Sequence, residues 1–131
     1  MKLKFRAWVY YGEKLDKPHY SKDYGSLDIF FEEHSENETG QCIEQYTGLK
    51  DRNGQEIYEG DIVMLLNYHV ELNGIMECLK TDIQWDTENA CFILGLTKFG
   101  SKLLLQNTEG YVVIGNIHEN PKLLGYKAFR L

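Results

Sequence analysis

Residues 45–63, QYTGLKDRNGQEIYEGDIV, constrain the fold of this chain more than any other stretch. Asn53-Gly54 is a strong signal for a β-hairpin, because both residue types tolerate a positive φ. The residues on either side are of types that suit a pleated, half-buried surface: Tyr46, Thr47 and Leu49 before it, Ile57 and Tyr58 after it. We therefore predict a hairpin with its tip at residues 51–54.

A second signal follows directly at Gly60-Asp61. Glycine allows the chain to bend, and an aspartate side chain can accept hydrogen bonds from backbone N–H groups nearby. The apolar run at residues 62–66 begins immediately afterwards. This order predicts that Asp61 opens the first strand of a small barrel.

Three segments together resemble the signature of the YopX family. They are residues 4–8 (KFRAW), residues 45–63 and residues 113–124 (VIGNIHENPKLL), which lie at the start, middle and end of the chain. The family consists of small proteins encoded by bacteriophages and prophages. The resemblance implies a mostly β protein with an SH3-like barrel in its C-terminal part, and it implies no reaction and no catalytic residues.

The rest of the chain alternates short apolar runs with turn residues, which is typical of a barrel or sandwich. We expect strands at residues 62–68, 75–85 and 90–96, and a hairpin that joins residues 103–106 to residues 111–117. Turns are expected at residues 71–74 and 86–89, and Asn120-Pro121 should end the last strand. The predicted fold is mainly β: an N-terminal β-rich lobe with a hairpin (residues 1–58) packed on a small SH3-like barrel with a C-terminal tail (residues 59–131).

The N-terminal residues alternate as a strand with one buried face does. One face carries Leu3, Phe5, Ala7, Val9 and Tyr11, and the other carries Lys2, Lys4 and Arg6. Trp8 and Tyr10 interrupt the polar face at its far end. If Arg6 turns inward it needs a carboxylate partner, and Asp61 or Glu59 would suit.

Charge and composition limit the classes of function. The net charge is −6, which disfavours nonspecific binding to nucleic acid. A basic start (+4 over residues 1–22) is followed by an acidic block (−7 over residues 23–45). The three cysteines match no zinc or redox spacing, and no apolar run approaches the length of a membrane span. Lys2, Lys4 and Arg6 interrupt the apolar residues of the N-terminus, so we expect no signal-peptide core there. We expect a protein of the bacterial host cytoplasm.

Few residues suggest chemistry. Asp51, Glu56, Glu59 and Asp61 lie close together in sequence, as the ligands of a divalent metal or an acid–base pair would. The structural explanation is favoured: Asp51 lies in the predicted turn, Glu56 near the solvent face of the hairpin, and Asp61 at the start of a strand, and no EF-hand pattern is present. His118-Glu119 is a second acid–base candidate that also has a structural explanation as a turn. We expect no catalytic residue, metal or cofactor.

The predicted function is a non-enzymatic protein-interaction module whose partner is a host or phage protein. A nucleic-acid-binding accessory protein, using Lys2, Lys4, Arg6, Trp8 and Tyr10, is one alternative; an enzyme that uses the carboxylates is another. Self-association through exposed strand edges would fit each of these functions. The residues of the interaction or structural signature are Arg6, Trp8, Tyr46, Gly48, Asn53, Gly54, Tyr58, Gly60, Asp61, Gly115, Asn116, Asn120 and Pro121.

Overall fold

A computed structural model describes residues 3–9, 19–20, 41–72, 74–95 and 105–124. This part of the chain forms two four-stranded antiparallel sheets and contains no α-helix, which confirms a mainly β fold. The chain forms two compact units, Met1–Tyr46 and Thr47–Leu131. The boundary between residues 58 and 59 stays a prediction. Residues 23–40 of the acidic block and residues 103–104 of the predicted hairpin lie outside the described residues.

In the first unit, strand β1 (Phe5–Val9) lies between β2 (His19–Tyr20) and the N-terminal half of β3 (Gln41–Lys50), antiparallel to both. The predicted buried face is only partly correct. Ala7 is fully buried, but Leu3 is 54% exposed, while Trp8 on the opposite face is 3% exposed. That opposite face is covered because Tyr20 packs edge-on against the Trp8 ring, with ring centroids 4.9 Å apart.

The predicted central hairpin is present in the second unit. The C-terminal half of β3 pairs with β4 (Glu56–Tyr58). Asp51 N–H donates to Gln55 O (2.8 Å), and Gly54 N–H donates to Asp51 O (3.1 Å). Gly54 has a φ of 83°, but Asn53 is not among the residues with positive φ. The turn therefore needs the left-handed conformation at Gly54 alone, as in a type I turn followed by a glycine bulge.

The second sheet has the strand order β7-β6-β5-β8. Its strands are β5 (Asp61–Leu72), β6 (Ile75–Asp86), β7 (Cys91–Leu94) and β8 (Tyr111–Asn116). The long strands β5 and β6 form a hairpin whose register shifts between Leu65 and His69. Because Leu65 lies opposite Leu79 and His69 lies opposite Cys78, residues 66–68 form a bulge on β5.

One predicted pairing is wrong in its described part. Leu105 and Gln106 are not in a strand, and β8 pairs with β5 rather than with the segment before it. Leu105 N–H instead donates to Phe92 O on β7 at 3.1 Å. The turn between Gln106 and β8 contains a short 3-10 helix, Thr108–Gly110, which redirects the chain so that it does not form a tight hairpin.

Most of the core of the second unit comes from the neighbouring strands β5 and β6. Its buried hydrophobic residues are Ile57, Ile62, Val63, Leu65, Leu79, Ile83, Leu94 and Leu124. The sheet order leaves β7 and β8 at opposite edges. Since the described residues show no pairing between those two strands, closure into an SH3-like barrel stays a prediction. No helix in the described residues has the length and hydrophobicity needed to cross a membrane.

Candidate functional site

Asp51 joins the tip of the central hairpin to β8. Its Oδ1 accepts hydrogen bonds from the backbone N–H groups of Asn53 (2.8 Å) and Gln55 (2.9 Å). Its Oδ2 accepts a third from the N–H of Val113 on β8 (2.9 Å). The residue is 7% exposed. Hydrogen bonds from N–H groups to a buried carboxylate are among the stronger ones in proteins, so Asp51 organises backbone on two distant elements.

Two further hydrogen bonds connect the central hairpin to β8 and to the short helix before it. Arg52 N–H donates to Tyr111 O at 2.9 Å, and the hydroxyl of Thr108 donates to Lys50 O at 2.6 Å. The predicted signature residues Asn53 and Gly54 are exposed at the tip. The hairpin is thus fixed at its base and along one side, while its tip residues face solvent.

Gly60 and Asp61 form the bend that sequence reasoning predicted. Asp61 Oδ2 accepts the N–H of Tyr58 at 2.8 Å, which confirms that this aspartate binds backbone nearby. Gly60 has a φ of 86°. Its N–H donates to Ile83 O on β6, and its carbonyl accepts the N–H of Ile117, both at 2.9 Å. The bend therefore links β6 to the segment that follows β8.

The closing motif forms a turn held by two asparagines. Asn116 Oδ1 accepts the N–H groups of His118 (3.0 Å) and Glu119 (2.9 Å), and Asn120 Oδ1 accepts the N–H of Asn116 (3.2 Å). Gly115 lies against this turn, because a Cβ atom there would be 2.5 Å from Asn120 Oδ1. Pro121 begins a short 3-10 helix, Pro121–Leu123.

The middle and closing motifs meet in the second unit. Asp61 lies opposite Asn116, and Ile62 lies opposite Gly115, in the pairing of β5 with β8. Of the remaining predicted residues in this unit, Tyr58 is buried and Gly48 has a φ of 86° within β3. The motif residues of the second unit therefore serve chiefly to form hydrogen bonds with the backbone, to allow turns and to pack in the interior. We call this set of contacts the framework of the unit.

Arg6 belongs to a polar–aromatic cluster in the first unit. Its Nε lies 2.9 Å from Glu44 Oε1, and its guanidinium carbon lies 3.9 Å from the centre of the Tyr20 ring. The Tyr20 hydroxyl donates to the same Glu44 oxygen at 3.0 Å. The side chain of Glu44 is only 2% exposed. Charge pairing, two hydrogen bonds and a cation–π contact together compensate for the burial of this carboxylate.

Sequence reasoning did not single out Glu44 or Tyr20. Glu44 is 38 residues from Arg6, and only the register of β1 with β3 places the two residues opposite each other. No local pattern carries that information. An additional pairing of Arg6 with Asp61 or Glu59 stays a prediction.

Two of the five residues proposed for nucleic-acid binding are largely buried. Trp8 is 3% exposed, and the side chain of Arg6 is 15% exposed. A base cannot stack on a buried ring, so this geometry does not offer Trp8 as a stacking platform. Lys2 and Tyr10 lie outside the described residues. Tyr46 is also buried, and its N–H donates to Lys4 O at 2.7 Å.

The four clustered carboxylates do not converge on one point. Asp51 and Asp61 receive backbone N–H groups at different places, and the described residues contain no group of three or more His, Cys, Asp or Glu side chains able to hold a metal ion. Glu119, the predicted partner of His118, accepts a hydrogen bond from Asn116 Nδ2 at 3.1 Å. The backbone contacts of Asp51 and Asp61 give these two carboxylates structural roles.

Among the described residues, the three most exposed large apolar side chains lie elsewhere, in the bulge of the β5–β6 hairpin and beyond it. We call residues 67–72 and 74–78 the hairpin arm. Tyr68 is 56%, Ile75 61% and Met76 64% exposed, whereas Leu65 and Leu79, at the base of the arm, are buried. Sequence reasoning placed these residues in strands but did not recognise them as a surface. Turn residues at 71–74 indicated where the hairpin reverses, but only the bulge set Tyr68 outside the core.

The fold and these contacts define a small, mainly β protein. Several of its signature residues form hydrogen bonds with the backbone, and apolar side chains are exposed on its two-stranded hairpin arm. This chain belongs to the YopX family: the family model described as YopX protein matches residues 4–125. A crystal structure of protein EF1440 from Enterococcus faecalis is similar to it, with 27% sequence identity and a TM-score of 0.55. That similarity covers 95% of this chain and 99% of the other. No curated protein matched the chain.

Proposed function

We propose that this YopX-family protein is a phage- or prophage-encoded, non-enzymatic protein-interaction module of the bacterial host cytoplasm, and that it contacts a host or phage protein through the hairpin arm. The observation that carries the proposal is the exposure of Tyr68, Ile75 and Met76 on one short two-stranded segment. Three large apolar side chains exposed on one short segment are candidates for an interaction surface, whereas single scattered ones need no explanation.

The chemistry of the arm defines the kind of partner. Tyrosine and methionine are enriched at protein interfaces because they combine large apolar area with adaptable packing. Glu71 and Glu77 are exposed on the same segment, and the arm contains no lysine or arginine. A complementary partner therefore presents an apolar patch bordered by basic residues.

The framework described above supports this role. The bonds from Asp51 to Val113 and from Gly60 to Ile83 and Ile117 hold β4, β5, β6 and β8 together around the core. A rigid base reduces the conformational entropy that an arm would otherwise lose on binding. The signature residues thus serve binding indirectly, by holding the strands from which the arm extends.

The test is an affinity capture from host lysate with tagged protein, with and without nuclease, and with a variant in which Tyr68, Ile75 and Met76 are replaced by serine. We expect a protein partner that survives nuclease treatment and is lost with the arm variant. Trp85→Ser is the matched control, because Trp85 is also exposed (40%) but lies outside the arm, against the Phe92 ring.

Each alternative gives a distinct result. Partners that disappear with nuclease would favour the nucleic-acid alternative despite the net charge of −6. Capture of the chain itself would indicate self-association. A partner retained by the arm variant and lost with Trp85→Ser would overturn the assignment of the arm.

A further inference from the structure

Two metal-binding side chains face each other on the hairpin arm. His69 on β5 and Cys78 on β6 are directly opposite in the antiparallel register. His69 Nε2 lies 3.7 Å from Cys78 Sγ. Cys78 is a free thiol and half-buried, and His69 is exposed. Both groups are therefore reachable from solvent and are positioned by paired strands.

The separation of these atoms suits a shared metal ion. A tetrahedral zinc ion has Zn–S and Zn–N bonds of about 2.3 Å and about 2.0–2.1 Å, which place the sulfur and nitrogen roughly 3.6 Å apart. The observed 3.7 Å lies close to this value. We propose that His69 Nε2 and Cys78 Sγ are two ligands of a zinc ion, or of another thiophilic divalent transition metal with the same geometry.

The alternative role of this contact is a weak hydrogen bond between the thiol and the imidazole. Besides His69, the thiol has one further acceptor in reach, Leu66 O at 3.9 Å, which is also long. Thiols are weak donors, whereas thiolate and imidazole are strong ligands for zinc. Metal binding replaces the thiol proton, which is released to solvent, so that the ion binds more tightly as pH rises.

Two protein ligands leave coordination positions open. Within the described residues no third His, Cys, Asp or Glu joins the pair, so water, or donor atoms of a bound macromolecule, complete the coordination. The site lies on the surface proposed for partner binding, yet the inference does not depend on that function. Metal binding is measured with the isolated protein, and a negative result there leaves the capture experiment unaffected.

The experiment is a titration of the reduced full-length protein with Co²⁺, which substitutes for zinc and has a thiolate-to-cobalt charge-transfer band in the near ultraviolet. We expect this band to appear and to be removed by adding Zn²⁺. Cys78→Ser abolishes it, because the band requires the sulfur–cobalt bond. His69→Gln weakens apparent affinity by at least about tenfold, since even indirect support of a ligand is commonly worth that much.

Matched controls are Cys91→Ser and His118→Gln, which alter another free thiol and another histidine outside the arm. Both are expected to retain the band and the affinity of the parent. Circular dichroism of all variants verifies that each is folded. Absence of the band in the folded parent, its persistence in Cys78→Ser, or an unchanged affinity in His69→Gln would overturn the proposal.

Discussion

At the scale of single residues, two buried carboxylates organise separate parts of this protein. Asp51 receives three backbone N–H groups, and Glu44 receives a guanidinium and a hydroxyl. Each carboxylate has at least one donor from a residue that lies close to it only in the folded chain: Val113 for Asp51, and Arg6 and Tyr20 for Glu44. Such groups are costly to alter, because their partners are left unpaired in a poorly solvated place.

Asp51→Asn should lower the free energy of unfolding by about 1–3 kcal/mol. One oxygen becomes an NH₂ group, which cannot accept a hydrogen bond, so at least one of the donating N–H groups loses its partner. Chemical denaturation measures the change. Gln55→Ala is the control, because the Gln55 side chain is exposed and its backbone N–H is retained. An Asp51→Asn variant as stable as the parent would contradict the role assigned to this carboxylate.

Glu44→Gln tests the cluster in the first unit. The substitution keeps the shape but removes the charge that faces Arg6, and we expect a loss of about 1–3 kcal/mol, the range for hydrogen bonds to charged groups. Glu71→Gln, on the exposed arm, should change the stability by less than about 0.5 kcal/mol. Equal effects of the two substitutions in thermal or chemical unfolding would show that the Arg6–Glu44 pair contributes nothing to stability.

At the scale of elements, the fold depends on turns that use glycine for different reasons. Gly54 has a positive φ, and open space surrounds the position of its absent Cβ. Gly115 is not among the positive-φ residues, yet a Cβ there would collide with the Asn120 side chain. The first glycine is required by backbone conformation, and the second by the close approach of two segments.

Gly115→Ala should therefore destabilise the protein more than Gly54→Ala. The clash displaces Asn120 Oδ1 from the Asn116 N–H and costs about 1–3 kcal/mol, in the range of overpacking. Gly54→Ala should cost about 1 kcal/mol, from the left-handed conformation alone. Unfolding midpoints of the two variants provide the comparison, and the reverse order would refute the explanation by close approach.

The β5–β6 hairpin is the element that separates framework from exposed surface. The bulge at residues 66–68 interrupts its register between the core pair Leu65–Leu79 and the arm pair His69–Cys78. On the core side most side chains are buried, and on the arm side most are exposed. One irregularity thus allows a single hairpin both to complete a core and to display a surface.

At the scale of the whole molecule, stability depends on pH through groups whose burial differs between the folded and unfolded states. Tyr111, at the start of β8, is such a group, because burial raises the pKa of its phenol above the ordinary value of 10.0. Below the ordinary pKa the phenol is protonated in both states. As pH rises above it, the unfolded chain loses the proton first, and folding becomes less favourable.

The free energy of unfolding should therefore fall as pH is raised from about 9 through and beyond about 10. Tyr111→Phe should flatten part of this decrease, because the variant has no phenol to ionise at this position. Tyr68→Phe, on the exposed arm, is the control. Denaturation curves of the parent and both variants across this pH range supply the measurement, and parallel pH profiles for the parent and Tyr111→Phe would contradict the prediction.

Much of the local structure could be predicted from the sequence. The Asn53-Gly54 hairpin, the Gly60-Asp61 bend and the end of the last strand before Asn120-Pro121 all occur where short-range rules place them. The turn expected at residues 71–74 falls where β5 gives way to β6, although β5 continues to Leu72. These features depend on residues a few positions apart in sequence, and the conformational preferences of those residues follow from their type.

The contacts that join distant segments could not be predicted in the same way. Asp51 reaches Val113, which is 62 residues away, and Glu44 reaches Arg6, which is 38 residues away. The expected hairpin before β8 was wrong in its described part, residues 105 and 106, because a sequence-local hairpin competed with the longer-range pairing of β8 to β5. Strand preference specifies that a segment will pair, but not with which partner.

The sequence by itself therefore determined the β character, the turns and the membership of the YopX family, since these follow from local residue patterns. The tertiary structure alone decided which carboxylates are buried, where β5 bulges and which apolar side chains remain exposed. The physical reason is that burial and register are properties of all the packed strands together. A residue such as Tyr68 has the same strand preference whether the bulge places it in the core or in solvent.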